Sequence, residues 1–345
     1  MSLTAAALRR VAVLVQATAA CGLAAWLALD HGWTWPPALA AGLAAVLLAF
    51  GASVAMAFGA TLGGLGIPRR NRPPLSDQAP ARQRLGVSRA LRCFLAECRA
   101  VFRMFNWLQP FRSRLALAQP PRPLPDTPPV LLVHGYGCNH AVWLDMAPAL
   151  ADAGYRCEAI DLAPVLGDID DYAPQLLARM REIQARSGQA PLLVCHSMGG
   201  LAARAAQVLA EHSGGGFACT GIVTLGSPHQ GCALARFGSG RNALQMRWQS
   251  AWLAALAAAE TPEMRARIVS VFSWHDSIAG PAGTSWLDGA QHVALDGIGH
   301  VSLLRDPRAV QATLTALTML QGQPAATALN AAHQPSGAQL PSTFM

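Results

Sequence analysis

The sequence predicts an α/β fold, a mostly parallel sheet flanked by helices, preceded by two apolar segments long enough to cross a membrane. Three observations carry this. Two long stretches near the N-terminus, Val11 to Leu29 and Ala38 to Ile67, are free of charged side chains. From Val130 onward, short Val/Ile/Leu runs alternate with amphipathic stretches, the pattern of strands buried on both faces of a parallel sheet. Between the two regions lies a tract rich in Arg and Pro, which cannot continue either pattern. The expected organisation is a helical hairpin over residues 1–67, a juxtamembrane segment over 68–127, a globular domain over 128–322 and a disordered tail over 323–345.

Composition agrees with lipid contact, since 52% of the 345 residues are hydrophobic and the mean hydropathy is +0.28. The first stretch of 19 residues is close to the roughly 20 that cross a bilayer core. Asp30, His31 and Gly32 break the two stretches, with Trp33 and Trp35 beside them as expected of aromatic side chains at a membrane interface. Arg9 and Arg10 precede the first stretch and Arg69, Arg70 and Arg72 follow the second, while the connection has no Arg, so both ends are expected on the cytoplasmic side. The alternative is a cleaved signal peptide, because Arg9, Arg10 and the apolar run also resemble its first two regions; it leaves the second stretch unexplained. Gly59 and Gly63 have the spacing of small residues at which membrane helices approach, a spacing to which no function is attached.

In the juxtamembrane tract, Leu91, Phe94, Leu95, Cys98, Val101, Phe102 and Phe105 recur at three- and four-residue intervals with Arg92, Arg99 and Arg103 interleaved. This predicts an amphipathic helix between the Pro-rich borders Pro73 to Pro80 and Pro120 to Pro129. Its apolar face either lies among lipid headgroups or packs on the following domain, and periodicity does not choose. The net charge of +7, carried entirely by Arg, has its excess near the apolar segments; no nucleic-acid module is visible, so membrane lipid is the expected polyanionic surface. Eight Cys show no metal-site pairing, and Cys157, Cys195 and Cys219 sit in or beside strand-like runs as small buried hydrophobes. No metal or organic cofactor and no obligate protein partner are expected.

Strands are predicted at Val130 to Val133, Cys157 to Ile160, Leu192 to Cys195, Ile222 to Leu225 and Ile268 to Phe272. Helices are predicted at Ala141 to Ala153, Ala173 to Ala185, Met198 to Glu211 and Pro307 to Leu320. The informative run is Leu192 to Gly200, an apolar strand that passes through His196-Ser197-Met198-Gly199-Gly200 into a helix. Ser is a good helix cap, so Ser197 alone means little. Val130 to Gly137, a strand followed by His134-Gly135-Tyr136-Gly137, precedes it by about 60 residues, and Gly226-Ser227-Pro228-His229-Gln230-Gly231 follows.

Over roughly residues 128 to 320 these three motifs, in this order, resemble the α/β-hydrolase superfamily in its bacterial lipase and esterase branch. Cys195 stands where the nucleophile motif usually has Gly, a small-for-small departure. The resemblance implies an α/β-hydrolase fold with Ser197 as nucleophile, and an acid and a His following it in chain order. Asp276, after the strand ending at Phe272, takes the place of the acid, with Asp288 and Asp296 as reserves. His300, in a Gly-flanked loop before the last helix, takes the place of the base; His275 and His292 read as structural. The backbone amides of Tyr136 and Met198 are the implied oxyanion donors, with His134 buttressing the loop and His196 at a variable position. The stretch from Gly231 to Arg267, with Phe237, Leu244, Met246, Trp248, Trp252, Leu253 and Leu256, reads either as an acyl-binding cap or as ordinary packing.

The implied function is hydrolysis of a carboxylic ester, lipid-like esters being attractive substrates, by an enzyme anchored in a bacterial inner membrane with its catalytic domain facing the cytoplasm. Acyl transfer, thioester or amide cleavage by the same residues is one alternative. A membrane-anchored binding module without activity is another.

Overall fold

A computed structural model describes residues 4–65, 67, 84–123 and 125–322. Arg69, Arg70, Arg72, the border Pro73 to Pro80 and the expected tail 323–345 lie outside the described residues.

The two apolar stretches form helices α1 (Ala5–Asp30) and α2 (Trp35–Gly63), both long and apolar enough to cross a membrane. The Thr4 hydroxyl caps α1 by accepting from Ala7 N, Pro36 and Pro37 start α2, and Gly64 ends it in a left-handed conformation. The two pack against each other, with closest approach at Gly42, where any Cβ would overlap the Ala20 carbonyl. Gly59 and Gly63 face open space, so the small-residue spacing noted in the sequence is not the helix contact. Leu14, Val15, Leu29, Leu43, Leu48 and Met56 are exposed, unlike side chains of a core helix of a soluble domain.

The amphipathic segment is helix α3 (Val87–Arg103), continued by a π-helical turn at Met104–Leu108 and a last helical turn α4 (Gln109–Phe111). It packs on the following domain: Cys93, Glu97, Ala100, Met104 and Leu108 form one buried stripe, the last three within the core under the sheet. A second stripe meets the hairpin, Phe94 lying 6.4 Å from Phe58 and Phe102 5.7 Å from Phe50, ring centre to ring centre. Leu91 and Leu95 stay exposed.

The sheet has strands β1 (Val130–Val133), β2 (Cys157–Ile160), β3 (Leu192–His196), β4 (Gly221–Leu225), β5 (Ile268–Ser273) and β6 (Gln291–Leu295) in the order β2-β1-β3-β4-β5-β6, all parallel. A 3₁₀ turn at His140–Asp145 and helix α5 (Ala147–Asp152) occupy the span predicted as one helix. Helix α6 (Ile169–Ser187) starts earlier than its apolar period suggests, because Asp168 caps it by accepting from Asp170 N. Then come α7 (Met198–His212), α8 (Arg241–Gln245), α9 (Ala251–Ala259), α10 (Pro262–Ala266) and α11 (Pro307–Gln321). One sheet face is covered by α6, α7 and α9; the other carries α11, α5 and the end of α3. Both faces being dry explains why β1, β3, β4 and β5 are buried throughout.

The stretch after Gly231 divides. Leu253 and Leu256 of α9 pack into the core, whereas Phe237 and Leu244 are exposed, Phe237 at the end of a 3₁₀ turn that contacts α2. All eight cysteines are free, and burial pushes the Cys157 and Cys219 thiols up to about 12.

Candidate active site

The chain order reverses between β1 and β3: β2 lies on one side of β1 and β3 on the other, so loops leaving these two strands open a crevice at the carboxyl edge of the sheet. Ser197 sits in that crevice. It stands between β3 and α7 with φ 56° and ψ −126°, a conformation that L-residues with side chains adopt at a cost of about 1 to 3 kcal/mol when the fold enforces it. The turn is held by Ser197 N donating to the Leu225 carbonyl at 2.9 Å. It is also crowded, since a Cβ at Gly199 would lie 2.5 Å from the Val133 carbonyl oxygen and one at Gly200 would overlap the Ser227 hydroxyl. The small residues after Ser197 are therefore required by close approach of the β1 loop and of the Ser227 loop.

The β1 loop passes directly over Ser197: a Cβ at Gly135 would fall 2.9 Å from the Ser197 Cβ and 3.4 Å from its Oγ. His134 fixes this loop. Its Nε2 accepts from Leu162 N at 3.0 Å, so Nδ1 carries the proton and donates to the Gly135 carbonyl at 2.9 Å. Among the described residues, neither the Tyr136 nor the Met198 amide has an acceptor, and Met198 opens α7, where unpaired amides gather. The Tyr136 hydroxyl donates to the Ser239 carbonyl and accepts from Ser239 N, at 2.8 and 3.0 Å, joining the β1 loop to the rim beside Phe237.

Asp276 and His300 meet. The His300 Nδ1–H donates to Asp276 Oδ2 at 2.8 Å with both side chains buried, while Asp276 Oδ1 accepts from Ile278 N at 2.8 Å and Ala279 N at 2.7 Å. Burial works against an imidazolium here, but the Asp276 charge and hydrogen bond, with Glu97 behind, outweigh it and raise the His300 pKa above its ordinary value. The reserve acids are engaged elsewhere: Asp288 accepts from Trp286 Nε1 at 3.1 Å, and Asp296 lies 3.6 Å from His275. His292 stacks on Trp286 at 3.6 Å between ring centres. His196 lies with its ring 4.5 Å from that of His300 and donates through Nε2 to the His300 carbonyl at 3.1 Å. That contact brings the end of β3, and with it Ser197, beside the His300 loop. Among the described residues, no hydrogen bond joins the Ser197 hydroxyl to the imidazole, whose side-chain bond is the one to Asp276.

Several supporting side chains carry no motif signal. Arg204 on α7 forms a buried pair with Glu260 (2.6 and 2.7 Å) and donates to His229 Nδ1 at 3.4 Å, leaving His229 Nε2–H to donate to Thr224 at 3.1 Å. This explains the His of the Gly226-to-Gly231 motif as a strut. Gln109 donates to Cys138 and its carbonyl accepts from Asn139, behind the β1 loop. Arg9 of α1 lies over Phe105 and donates to the Gly137 carbonyl at 3.4 Å. Glu97 of α3 enters beneath the His300 loop. Among the described residues, no group of His, Cys, Asp and Glu side chains is placed to hold a metal ion.

A strained strand-to-helix serine and a buried His–carboxylate pair thus lie on a six-stranded parallel sheet with helices on both faces. The chain belongs to the alpha/beta hydrolase family, whose model matches residues 130–341. No curated protein matches the sequence significantly. Among solved structures, the mature lipase of Bacillus licheniformis aligns with TM-score 0.50 and 19% identity, over 59% of this chain and 97% of that one. A monoacylglycerol lipase of Paleococcus ferrophilus aligns with TM-score 0.41 and 15% identity, over 60% and 99%. Naproxen esterase of Bacillus subtilis gives 0.39 and 15%, over 71% and 100%. At these identities the likeness is one of fold.

Proposed function

We propose that the chain is a membrane-anchored serine hydrolase that cleaves carboxylic esters of lipid-like substrates through an acyl-Ser197 intermediate. The observation that carries the reading is the Asp276–His300 pair: with Nδ1–H held by the carboxylate, Nε2 is the proton acceptor, the tautomer a serine nucleophile needs. In the acylation step the Ser197 Oγ attacks the ester carbonyl carbon as its proton passes to His300 Nε2. The amides of Tyr136 and Met198 receive the oxyanion, and the alkoxide leaves with the proton returned by His300. Water, activated by the same imidazole, then releases the acid. No metal or organic cofactor enters these steps.

The anchor is the hairpin, whose exposed apolar surface suits lipid. Arg9 and Arg10 bond to the Gly137 and Pro110 carbonyls, so the N-terminal end of α1 and the catalytic domain share one side of the bilayer. With no Arg in the connection between the helices, that side is the cytoplasmic face of a bacterial inner membrane. Exposed Phe237, at the end of a 3₁₀ turn that meets α2, gives an apolar rim for an acyl chain arriving from the bilayer.

The experiment uses the full chain in detergent micelles: fluorophosphonate labelling of wild type and Ser197→Ala, then turnover of p-nitrophenyl esters of rising chain length, of acyl-CoA and of amides. The expected result is labelling lost in Ser197→Ala and ester turnover exceeding the other two classes. An unlabelled wild type removes the enzyme reading in favour of a binding module, and dominant transfer to an acceptor other than water makes the chain an acyltransferase.

A further inference from the structure

Glu97 is the one acid in helix α3, and it is fully buried. Its carboxylate accepts four hydrogen bonds from two separate loops. Oε1 accepts from the Ser277 hydroxyl at 2.6 Å and from Val301 N at 3.0 Å; Oε2 accepts from Ser302 N at 2.9 Å and from the Ser302 hydroxyl at 2.7 Å. Ser277 directly follows Asp276, and Val301 and Ser302 directly follow His300. The Ser277 oxygen also accepts from His300 N at 3.3 Å, so the backbone of the imidazole-bearing residue is tied through that hydroxyl to Glu97. The fit is tight enough that a Cβ at Gly299 would overlap the carboxyl group.

All four donors are N–H or O–H groups, and no cation pairs with Glu97 among the described residues. A position that served only packing would be more stably filled by an apolar side chain, because burying a carboxylate carries a desolvation penalty that hydrogen bonds merely offset. What the carboxylate adds is a fixed distance between the Asp276 turn and the His300 turn. The membrane hairpin reaches the same place, since the Thr61 hydroxyl at the end of α2 donates to the Ser277 carbonyl at 3.0 Å.

We propose that Glu97 is a positioning residue for the hydrolytic reaction: from the segment that joins the hairpin to the domain, it clamps the Asp276–Ser277 turn to the His300–Ser302 turn and holds imidazole and carboxylate in register. The proposal rests on the serine-hydrolase reading above. It makes the catalytic geometry depend on α3 being docked, and so joins the anchor to the site. The titratable or charged groups around this clamp are Cys93 and Cys98 on α3, Asp276 after β5, His196 at the end of β3, and Asp306 and Arg308 at the start of α11. Of these, Asp276 lifts the His300 pKa together with Glu97, and His196 is itself held neutral by burial.

The test compares wild type and Glu97→Gln as full chains in micelles, by steady-state ester hydrolysis across pH, fluorophosphonate labelling and thermal melting. The variant is expected to lose about 10- to 100-fold in kcat, the range a displaced catalytic group produces, with KM changed by less than about threefold. The acid limb of its kcat/KM profile moves to lower pH, because removing a negative charge lowers the pKa of the base. The pH shift follows from the lost charge alone, so the split between kcat and KM decides: a purely structural role would lower the melting temperature and leave kcat of the folded variant in place. A folded Glu97→Gln with wild-type kcat overturns the proposal, whatever its midpoint. If that variant does not fold, Ser302→Ala, which removes a single donor, carries the test: a smaller kcat loss at constant KM supports the clamp and an unchanged kcat overturns it. Failure of wild type to label removes the hydrolase reading itself, an outcome distinct from a labelled wild type with an indifferent Glu97.

Discussion

Gly226→Ala is a sensitive probe of the Asp276–His300 pair. Gly226 follows β4 with φ +58°, and a Cβ built on it would lie 2.8 Å from Asp276 Oδ2, 2.9 Å from Leu303 Cδ1 and 3.1 Å from His300 Nδ1. Those two polar atoms are the ends of the 2.8 Å hydrogen bond itself. Carbon does not approach oxygen or nitrogen so closely without displacement, so the methyl group must part the pair or push it away from Ser197. The stability cost combines about 1 kcal/mol or more for a side chain at positive φ with about 1 to 3 kcal/mol for overpacking. At about 2 to 4 °C per kcal/mol for a domain of this size, the melting temperature should fall by roughly 4 to 16 °C. The activity cost is the more specific expectation, a kcat loss of about 100-fold from misplacing the base. Gly188→Ala is the control, because Gly188 also has positive φ (+76°) but a Cβ there meets nothing within 4 Å. It should lose the backbone share of stability and keep wild-type kcat. The assay is ester turnover at a temperature where both variants are folded. If Gly226→Ala loses no more activity than Gly188→Ala, the Asp276–His300 contact is not what sets the rate, and the reasoning fails.

Arg204→Met leaves the buried Glu260 with only the longer Arg265 contact at 3.1 Å and His229 without its donor; it should destabilise by about 3 kcal/mol. Arg204→Met/Glu260→Leu should melt higher than the single variant, and equal melting temperatures would show that the orphaned charge is not the cause. Stability should also fall on acidification. Burial depresses the pKa of His134, His196 and His229, with His292 lowered to about 4, so below the unfolded value of about 6.5 the unfolded chain takes up protons that the folded chain cannot. Each fully buried imidazole then removes up to about 1.4 kcal/mol per pH unit. His300, raised instead, adds stability as pH falls through its folded pKa and its contribution is constant below about 6.5, so the loss is read on the acid side of that value. Urea midpoints between about pH 6.5 and 5 check this, and a flat profile there would contradict it.

The sheet was legible because its strands are dry on both faces. Val130 to Val133 and Leu192 to Cys195 read as short unbroken apolar runs, the mark of strands covered on both faces. The helix starts were less legible. At α6 the side chain of Asp168 caps the first turn, where buried Ile169 is followed by Asp170 and Asp171 before the period resumes at Tyr172 and Ala173. The 3₁₀ turn at His140–Asp145 carries Val142 and Trp143 into the core at a spacing that a helical period also allows. For the candidate site, the crowding around Gly199 and Gly200 and the strained Ser197 are local consequences of a tight turn and therefore leave a mark in consecutive residues.

Glu97 left no such mark, and the reason is instructive for the whole N-terminal third. A buried carboxylate is recognised by its donors, and here the donors sit 180 to 205 residues away along the chain. Seen alone, α3 shows Arg on one side and Leu and Phe on the other, and its lone acid looks like one more solvated charge. What the sequence did offer was a narrower clue: Cys93, Glu97, Ala100 and Met104 occupy one stripe, and an acid flanked by Cys, Ala and Met on that stripe is out of place on a wet surface. The same stripe settles which way the helix faces. A helix lying flat among headgroups would turn its most apolar side to lipid and its acid to water, yet Leu91 and Leu95 remain outside while Glu97 goes in. The domain therefore holds α3 through an apolar stripe in its core and, at Glu97, through polar contacts from the Asp276 and His300 turns, so that undocking the segment would strip those turns of four hydrogen bonds.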